Sequence, residues 1–276
     1  MSDVWYYIDS GTGRGGWNMA LDVVLAQTAE DKPFLRFYRW SPFCLSLGYG
    51  QKYEEFDGER CRQEGIEVVR RPTGGRAILH ADEVTYSVSL SNKNALFNLS
   101  IMDFYRYISS GLSQGLQFLG VPVTVEKTGT IREKGGLPRA PLCFSSVGRY
   151  ELKVNGKKIV GSAQRRFPES LLQHGSILLG DYHLLQEELL VDSSSPKRSF
   201  LQKVTTSVST ELGRKVDYEE AVKAIRQGFE KALDIRLEPY ELTDKQKTLT
   251  EELAREYAIL TLKNTNPELF IANSAP

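Results

Sequence analysis

The chain has 276 residues, 41% hydrophobic and 25% charged, with 35 basic residues against 35 acidic ones and a formal net charge of zero. That balance lacks the basic excess of a bulk nucleic-acid binder, and no apolar run approaches the roughly 18 residues that span a bilayer. The N-terminal MSDVWYYIDSGTGRGG has no secretory pattern, and the three scattered cysteines, Cys44, Cys61 and Cys143, fit reduced thiols in a cytoplasmic protein better than a disulfide framework or a zinc site.

In chain order, residues 17–29 (WNMALDVVLAQTA) predict a helix after the glycine-rich GTGRGG. Residues 34–40 and 44–49 predict strands around Ser41-Pro42, the second with the alternation of a half-buried strand, and 66–70 a further short strand. The clearest alternation is 84–90 (VTYSVSL), where Val84, Tyr86, Val88 and Leu90 face one way and Thr85, Ser87 and Ser89 the other. Residues 101–119 predict an amphipathic helix with Phe104, Ile108, Leu112 and Leu116 on one stripe. Residues 127–141, rich in glycine, proline and charge, predict a long mobile loop leading to Cys143.

Asn155-Gly156 marks a two-residue hairpin, because both residues tolerate positive φ. Residues 171–179 predict another strand and 182–191 a short helix. From about 215 the chain reads as helical, with capping-box pairs at Asp217/Glu220 and Thr243/Gln246. Strands and helices mix without regular βαβ alternation. The expected fold is therefore α+β: one domain over 1–276 with a mixed, mainly antiparallel sheet flanked by helices.

Four segments carry candidate chemistry. RRPTGGRAILH (70–80) places Arg70, Arg71 and Arg76 around Gly74-Gly75. The glycines would let a ligand reach main-chain N–H groups, yet taken alone the stretch fits a basic surface turn with solvated arginines. Gly161, Ser162 and Ala163 are small enough for a ligand to lie against their strand, or for a tight packing site. If the Asn-Gly turn closes the hairpin, Lys153 opposes Lys158 and Val154 opposes Lys157. Lys158 then shares a face with Val160 and Ser162, and Lys157 shares the other with Ile159. Parity does not say which of these two lysines faces a pocket. Cys143 sits where the loop meets a strand; beside a lysine ammonium its thiolate would be a nucleophile. Cys44 and Cys61 read as structural.

Together these segments resemble the lipoate–biotin protein ligase superfamily. RRPTGGRAILH is similar to its Arg-Arg-x-(Thr/Ser)-Gly-Gly-x-Ala-(Val/Ile)-x-His motif, KKIVGSAQRR to its Lys-(Ile/Val)-x-Gly-Ser-Ala motif and HGSILL (174–179) to the strand that follows. NMALD (18–22) and GYGQ (48–51) also fit, in family order from about residue 5 to residue 240. PLCFSSVGRYEL, with Cys143, resembles the cysteine-dependent octanoyltransferases of the Gram-positive type and not the ligases, which usually have an Arg-Asn-Asp-like stretch there.

The resemblance implies the biotin/lipoate ligase-like catalytic fold and octanoyl transfer from octanoyl-acyl carrier protein to a lysine of a lipoyl-domain protein such as glycine cleavage H protein. It implies no cofactor, no metal, and no nucleic-acid or membrane partner. It selects Cys143 as nucleophile and Lys158 as the lysine beside it. Arg70, Arg71, Gly74, Gly75, Arg76, His80, Gly161, Ser162 and Ala163 would form the acyl pocket, with the apolar face of 84–90 as a wall and the arginines steering acidic partners. His174 reads as structural. The competing readings are an ATP-dependent lipoate ligase, an amidotransferase between lipoyl domains and a non-catalytic acyl-binding protein.

Overall fold

The first strand is one that periodicity does not announce. β1 (Asp3–Gly13) carries six consecutive non-alternating positions, WYYIDS, and a register irregularity between Asp9 and Thr12, so its pattern is not the simple period of two. The computed structural model describes residues 3–127, 150–191 and 199–263. α1 (Gly15–Thr28) begins two residues earlier than the apolar run suggests. β2 (Phe34–Trp40) and β3 (Cys44–Leu47) follow; β3 is buried on both faces, which corrects the half-buried expectation, and Gly48 and Tyr49 lie beyond its end. A short helix, α2 (Gly58–Gln63), leads to β4 (Glu67–Arg70), β5 (Ile78–His80) and β6 (Glu83–Ser91).

α3 (Ile101–Phe118) matches its predicted span, and β7 (Thr124–Lys127) follows it. The predicted loop 127–141 and Cys143 fall outside the described residues, apart from Lys127 at the end of β7. β8 (Tyr150–Val154) and β9 (Lys157–Lys158) form the hairpin with the expected register, Lys153 opposite Lys158 and Val154 opposite Lys157. Asn155 and Gly156 both take positive φ, 50° and 78°. β10 (Val160–Arg166) and β11 (Ser170–Leu178) follow, then the predicted short helix, which is of the 3₁₀ type and spans Tyr182–Leu189.

Next come α4 (Ser199–Val204), α5 (Val208–Leu212), α6 (Tyr218–Leu233), β12 (Ile235–Pro239) and α7 (Asp244–Lys263), so the C-terminal part contributes a strand as well as helices. Asp217 accepts from Glu220 N at 2.8 Å, but the Glu220 carboxylate pairs with Arg214 and does not close the box. Thr243 and Gln246 bond reciprocally, at 3.2 and 3.0 Å.

The main sheet is six-stranded and mixed, in the order β10-β11-β6-β2-β1-β12. β10, β11, β6 and β2 run antiparallel in turn, while β1 is parallel to both β2 and β12. One face carries α3 and α6: Val84, Tyr86, Val88 and Leu90 of β6 join Phe104, Ile108, Leu112, Ile225 and Phe229 in the largest core cluster. The two helices cross so closely that a Cβ on Gly228 would lie 2.2 Å from Gly115 N. The opposite face carries α1, backed by α7, and the small sheet β4-β3-β5. A third sheet, β7-β8-β9, adjoins α3.

Ile159 joins two sheets: its N–H donates to Leu152 O of β8 and its carbonyl accepts from Leu178 N of β11. The pleat is interrupted there, and Ile159 and Val160 both enter the main core. Face sharing therefore does not run unbroken from Lys158 through Val160 to Ser162.

Candidate active site

A small cavity, partly open to solvent, lies between the main sheet and the small sheet. Its floor crosses the strands. Gly161 is the register partner of Ser176, Ser176 of Thr85, and Thr85 of Tyr38. That row spans three strand spacings, about 14 Å. Ala163, His174 and Gly175 flank it; Ser46, Ile78, His80 and Arg71 cover it; Met19 of α1 and Trp40 close the end nearest β2. The face of β6 that reaches the cavity is the hydroxyl-bearing one, through Thr85. Val84, Tyr86, Val88 and Leu90 pack under α3 and α6, so the apolar face does not wall the cavity as expected. Both faces of this strand are covered, and parity alone cannot rank them.

Two buried carboxylates organise the walls. Asp22 accepts from Arg36 Nη1 (2.7 Å), Ser87 Oγ (2.8 Å), Tyr38 OH (2.9 Å) and His174 Nδ1 (2.9 Å). Burial pushes its pKa up, but the Arg36 charge with His174 and Ser87 outweighs this and leaves it below the usual aspartate value. Glu83 accepts from His80 Nδ1 at 2.7 Å and from the Thr85 and Ser176 hydroxyls. Against the penalty of burial, His80 and those hydroxyls hold it below the usual glutamate value. His80 Nε2 takes the Ser46 hydroxyl at 2.7 Å, and Trp40 stacks on its ring at 4.1 Å while donating to Thr85 Oγ1 at 2.7 Å.

The arginines of RRPTGG are not solvated. Arg70 is 2% exposed and donates to the carbonyls of Gly48, Tyr49 and Gln51; Arg71, 3% exposed, donates to those of Ser46, Gly74 and Arg76. Both guanidiniums shape the loop from inside, which corrects the surface-turn reading and removes them as steering charges. Arg71 Nε also reaches Thr73 Oγ1 (3.2 Å), whose hydroxyl donates to His174 Nε2 (2.7 Å). Burial, and then the nearby Arg71 charge, depress the His174 pKa despite Asp22, so the ring accepts at Nε2 and donates at Nδ1. A hydrogen-bonded chain thus runs Arg71–Thr73–His174–Asp22 and joins the 70–80 loop to β11 and α1.

Of the expected pocket residues, Arg71, His80, Gly161 and Ala163 line the cavity. Arg70 lies behind the loop, Gly74 and Gly75 are exposed, and Arg76 is half-buried. Ser162 points to the α3 side, where it accepts from Tyr86 OH at 2.7 Å. Lys158 is 8% exposed; its Nζ donates to Glu151 Oε1 at 2.9 Å. Cys44 and Cys61 are buried, and burial raises both thiols, Cys61 to about 11, so neither is a ready nucleophile at neutral pH. Asp22, Glu83, Met19, Tyr38 and Trp40 also shape the site, beyond the residues the motifs single out. The signal available was the polar alternation in VTYSVSL and the aspartate ending NMALD.

Residues 15–230 match the family of the lipoyl protein ligase A/B catalytic domain. The octanoyltransferase LipM of Geobacillus kaustophilus (strain HTA426) is 42% identical over 268 residues, covering 92% of this chain and 95% of that protein. The chain belongs to this family, in its octanoyltransferase LipM branch. The LipM of Bacillus subtilis (strain 168) is 38% identical, covering 91% and 94%. Among solved structures, a bipartite lipoate protein ligase from Thermoplasma acidophilum shares the fold with a TM-score of 0.76 at 21% identity, covering 93% and 94%. A lipoate-protein ligase A bound with ATP does so at 0.73 and 22%, covering 95% and 100%. These two likenesses establish the family fold and extend no further.

Proposed function

We propose that this chain transfers an octanoyl group from octanoyl-acyl carrier protein to a lysine of a lipoyl-domain protein, such as glycine cleavage H protein, in the lipoate biosynthesis of the cytoplasm. The observation that carries the reading is the floor of the cavity, which starts at Gly161, three residues after the buried Lys158, and ends at Met19, Tyr38 and Trp40. An extended eight-carbon chain measures roughly 9 Å from bond lengths near 1.5 Å. That length is shorter than the roughly 14 Å row, and in this reading the chain lies along the row with its carbonyl at the Gly161 end. The branch supports the same chemistry.

Cys143 thiolate attacks the donor thioester; the acyl–sulfur bond to the carrier breaks as the one to Cys143 forms, and the leaving carrier thiolate takes a proton from the Lys158 ammonium. The acceptor amine then attacks the acyl-enzyme, the amide bond forms as the bond to Cys143 sulfur breaks and Cys143 leaves as thiolate, and the proton released from nitrogen returns to the neutral Lys158 amine. Lys158 thus supplies positive charge to the thiolate and the developing oxyanion in the first step and acts as base in the second. His80 and Ala163 bound the chain, while Arg71 fixes the loop above it.

The test is intact mass. Mixing with octanoyl-acyl carrier protein without ATP should add one octanoyl group, absent in Cys143→Ser, and adding a lipoyl-domain protein should move it to the acceptor. An acceptor that stays unmodified until lipoate and ATP are supplied would reject the reading.

A further inference from the structure

The hairpin register places two lysines in direct opposition. Lys153 faces Lys158 across β8 and β9, and both are largely buried, with side chains 13% and 10% exposed. Like charges opposite one another destabilise a sheet, and burial sharpens the repulsion. Glu151, two residues before Lys153 on β8 and hence on the same face, answers both: its Oε1 accepts from Lys158 Nζ at 2.9 Å and its Oε2 lies 3.5 Å from Lys153 Nζ. Glu151 is itself 5% exposed.

The backbone of Lys158 is held from the other side. Its carbonyl accepts from Thr206 N at 3.0 Å and it bridges to Thr205, whose hydroxyl meets His183 Nε2 at 2.8 Å. Both ends of the Lys158 side chain are therefore fixed, the Cα by β8 and the Thr205–Thr206 segment and the Nζ by a carboxylate. For stability alone this is a poor arrangement: apolar residues of similar volume often match or improve on a buried ion cluster. A requirement to keep one ammonium at a set position explains why it is present.

We propose that Glu151 is a positioning residue for acyl transfer, holding the Lys158 ammonium at the fixed position that its role in that reaction requires. The inference rests on the octanoyl-transfer reading and adds to it a residue that touches neither substrate. Lys153 shares the carboxylate and limits its movement toward Lys158.

The experiment uses the full chain and measures acyl-enzyme formation from octanoyl-acyl carrier protein by rapid-quench intact mass, with melting temperature recorded in parallel. Glu151→Gln keeps the shape and removes the charge. Its acylation rate at saturating donor should fall about 100-fold, the scale for ångström-sized misplacement of a reacting group, with the half-saturating donor concentration within twofold. Glu151→Asp, which keeps the carboxylate, should recover about a tenth or more of the lost rate. A second variant separates positioning from folding. Glu151→Gln combined with Lys153→Met removes one positive charge along with the negative one, so it relieves the lysine repulsion. It should melt near the wild-type temperature yet acylate as slowly as Glu151→Gln. Recovery of rate together with stability in that double variant would reduce Glu151 to a structural counter-ion and overturn the proposal, as would wild-type acylation by Glu151→Gln. A wild-type chain that forms no acyl-enzyme would instead overturn the transfer reading and this inference with it.

Discussion

Replacing Asp22 by Asn tests the internal frame of the cavity most directly. Asp22 and Arg36 form an ion pair whose side chains are 0% and 1% exposed, and three further donors converge on the same carboxylate. An amide of the same shape removes the counter-charge of Arg36 and turns one acceptor into a donor that faces Tyr38, Ser87 or His174. Breaking a buried pair from one side costs about 3–5 kcal/mol, and at about 2–4 °C per kcal/mol for domains of comparable size the melting midpoint should fall by roughly 10 °C.

The pH dependence adds a second reading of the same variant. Because the Asp22 pKa is lowered by folding, its contribution is fully present above the ordinary aspartate value of about 3.9 and is lost as pH falls toward the lower folded value. The gap between wild type and Asp22→Asn, measured by urea titration at several pH values, should be widest near pH 7 and narrow below pH 4. A loss under about 1 kcal/mol at pH 7, the scale of an ordinary surface change, would refute the reasoning; so would a gap that widens with acid.

Further predictions concern the walls and the chain that joins them. Met19→Ala should extend acceptance to donors two or more carbons longer, and Met19→Phe should shorten it, as read from competition among C6 to C12 donors. Gly175→Ala places a Cβ 2.5 Å from Gly161 O and 2.7 Å from a Tyr86 ring carbon. It should separate β10 from β11 and abolish transfer, whereas Gly74→Ala, which meets nothing within 4 Å, should leave the melting temperature unchanged. Thr73→Val strands His174 Nε2 and should cost about 1–3 kcal/mol by urea titration. The depressed His174 pKa gives stability that is present above the ordinary histidine value and lost as pH falls below it. His174→Gln should therefore flatten the stability profile below about pH 6.5.

Elements with a local signature were legible in the sequence. The hairpin announced itself through Asn155-Gly156, and its register followed from the turn alone. The stripe of α3 and the alternation of β6 survived because each buries its apolar side in one core. β1 and β12 escaped notice because the first is bulged and carries aromatic residues on both faces and the second is a five-residue edge strand. The candidate site was legible as a set of motifs and illegible as an arrangement. RRPTGG read as solvated because arginine is ordinarily exposed. Arg70 instead satisfies carbonyls of a loop about 20 residues earlier, and Arg71 reaches back to Ser46 of β3 while closing its own loop on Gly74 and Arg76; the distant pairings are ones no local pattern contains. Asp22 stayed hidden for the same reason, since its partners come from β2, β6 and β11; Glu83 bonds its neighbours His80 and Thr85, and only Ser176 reaches it from a distant strand.

The place of β1 in the sheet bears on how a ribosome must deliver this protein. β1 lies between β2 and β12, and Asp3 pairs with Ile235, roughly 230 residues later. At about 5–20 residues per second, one edge of β1 and the outer face of α1 wait roughly 10–50 s for β12 and α7 to emerge. Throughout that interval the nascent chain exposes one unpaired edge of a strand that carries Trp5, Tyr6 and Tyr7. Chaperone demand should accordingly fall on the N-terminal forty residues, and a circular permutant that joins the β12 end to β1 should mature with less assistance.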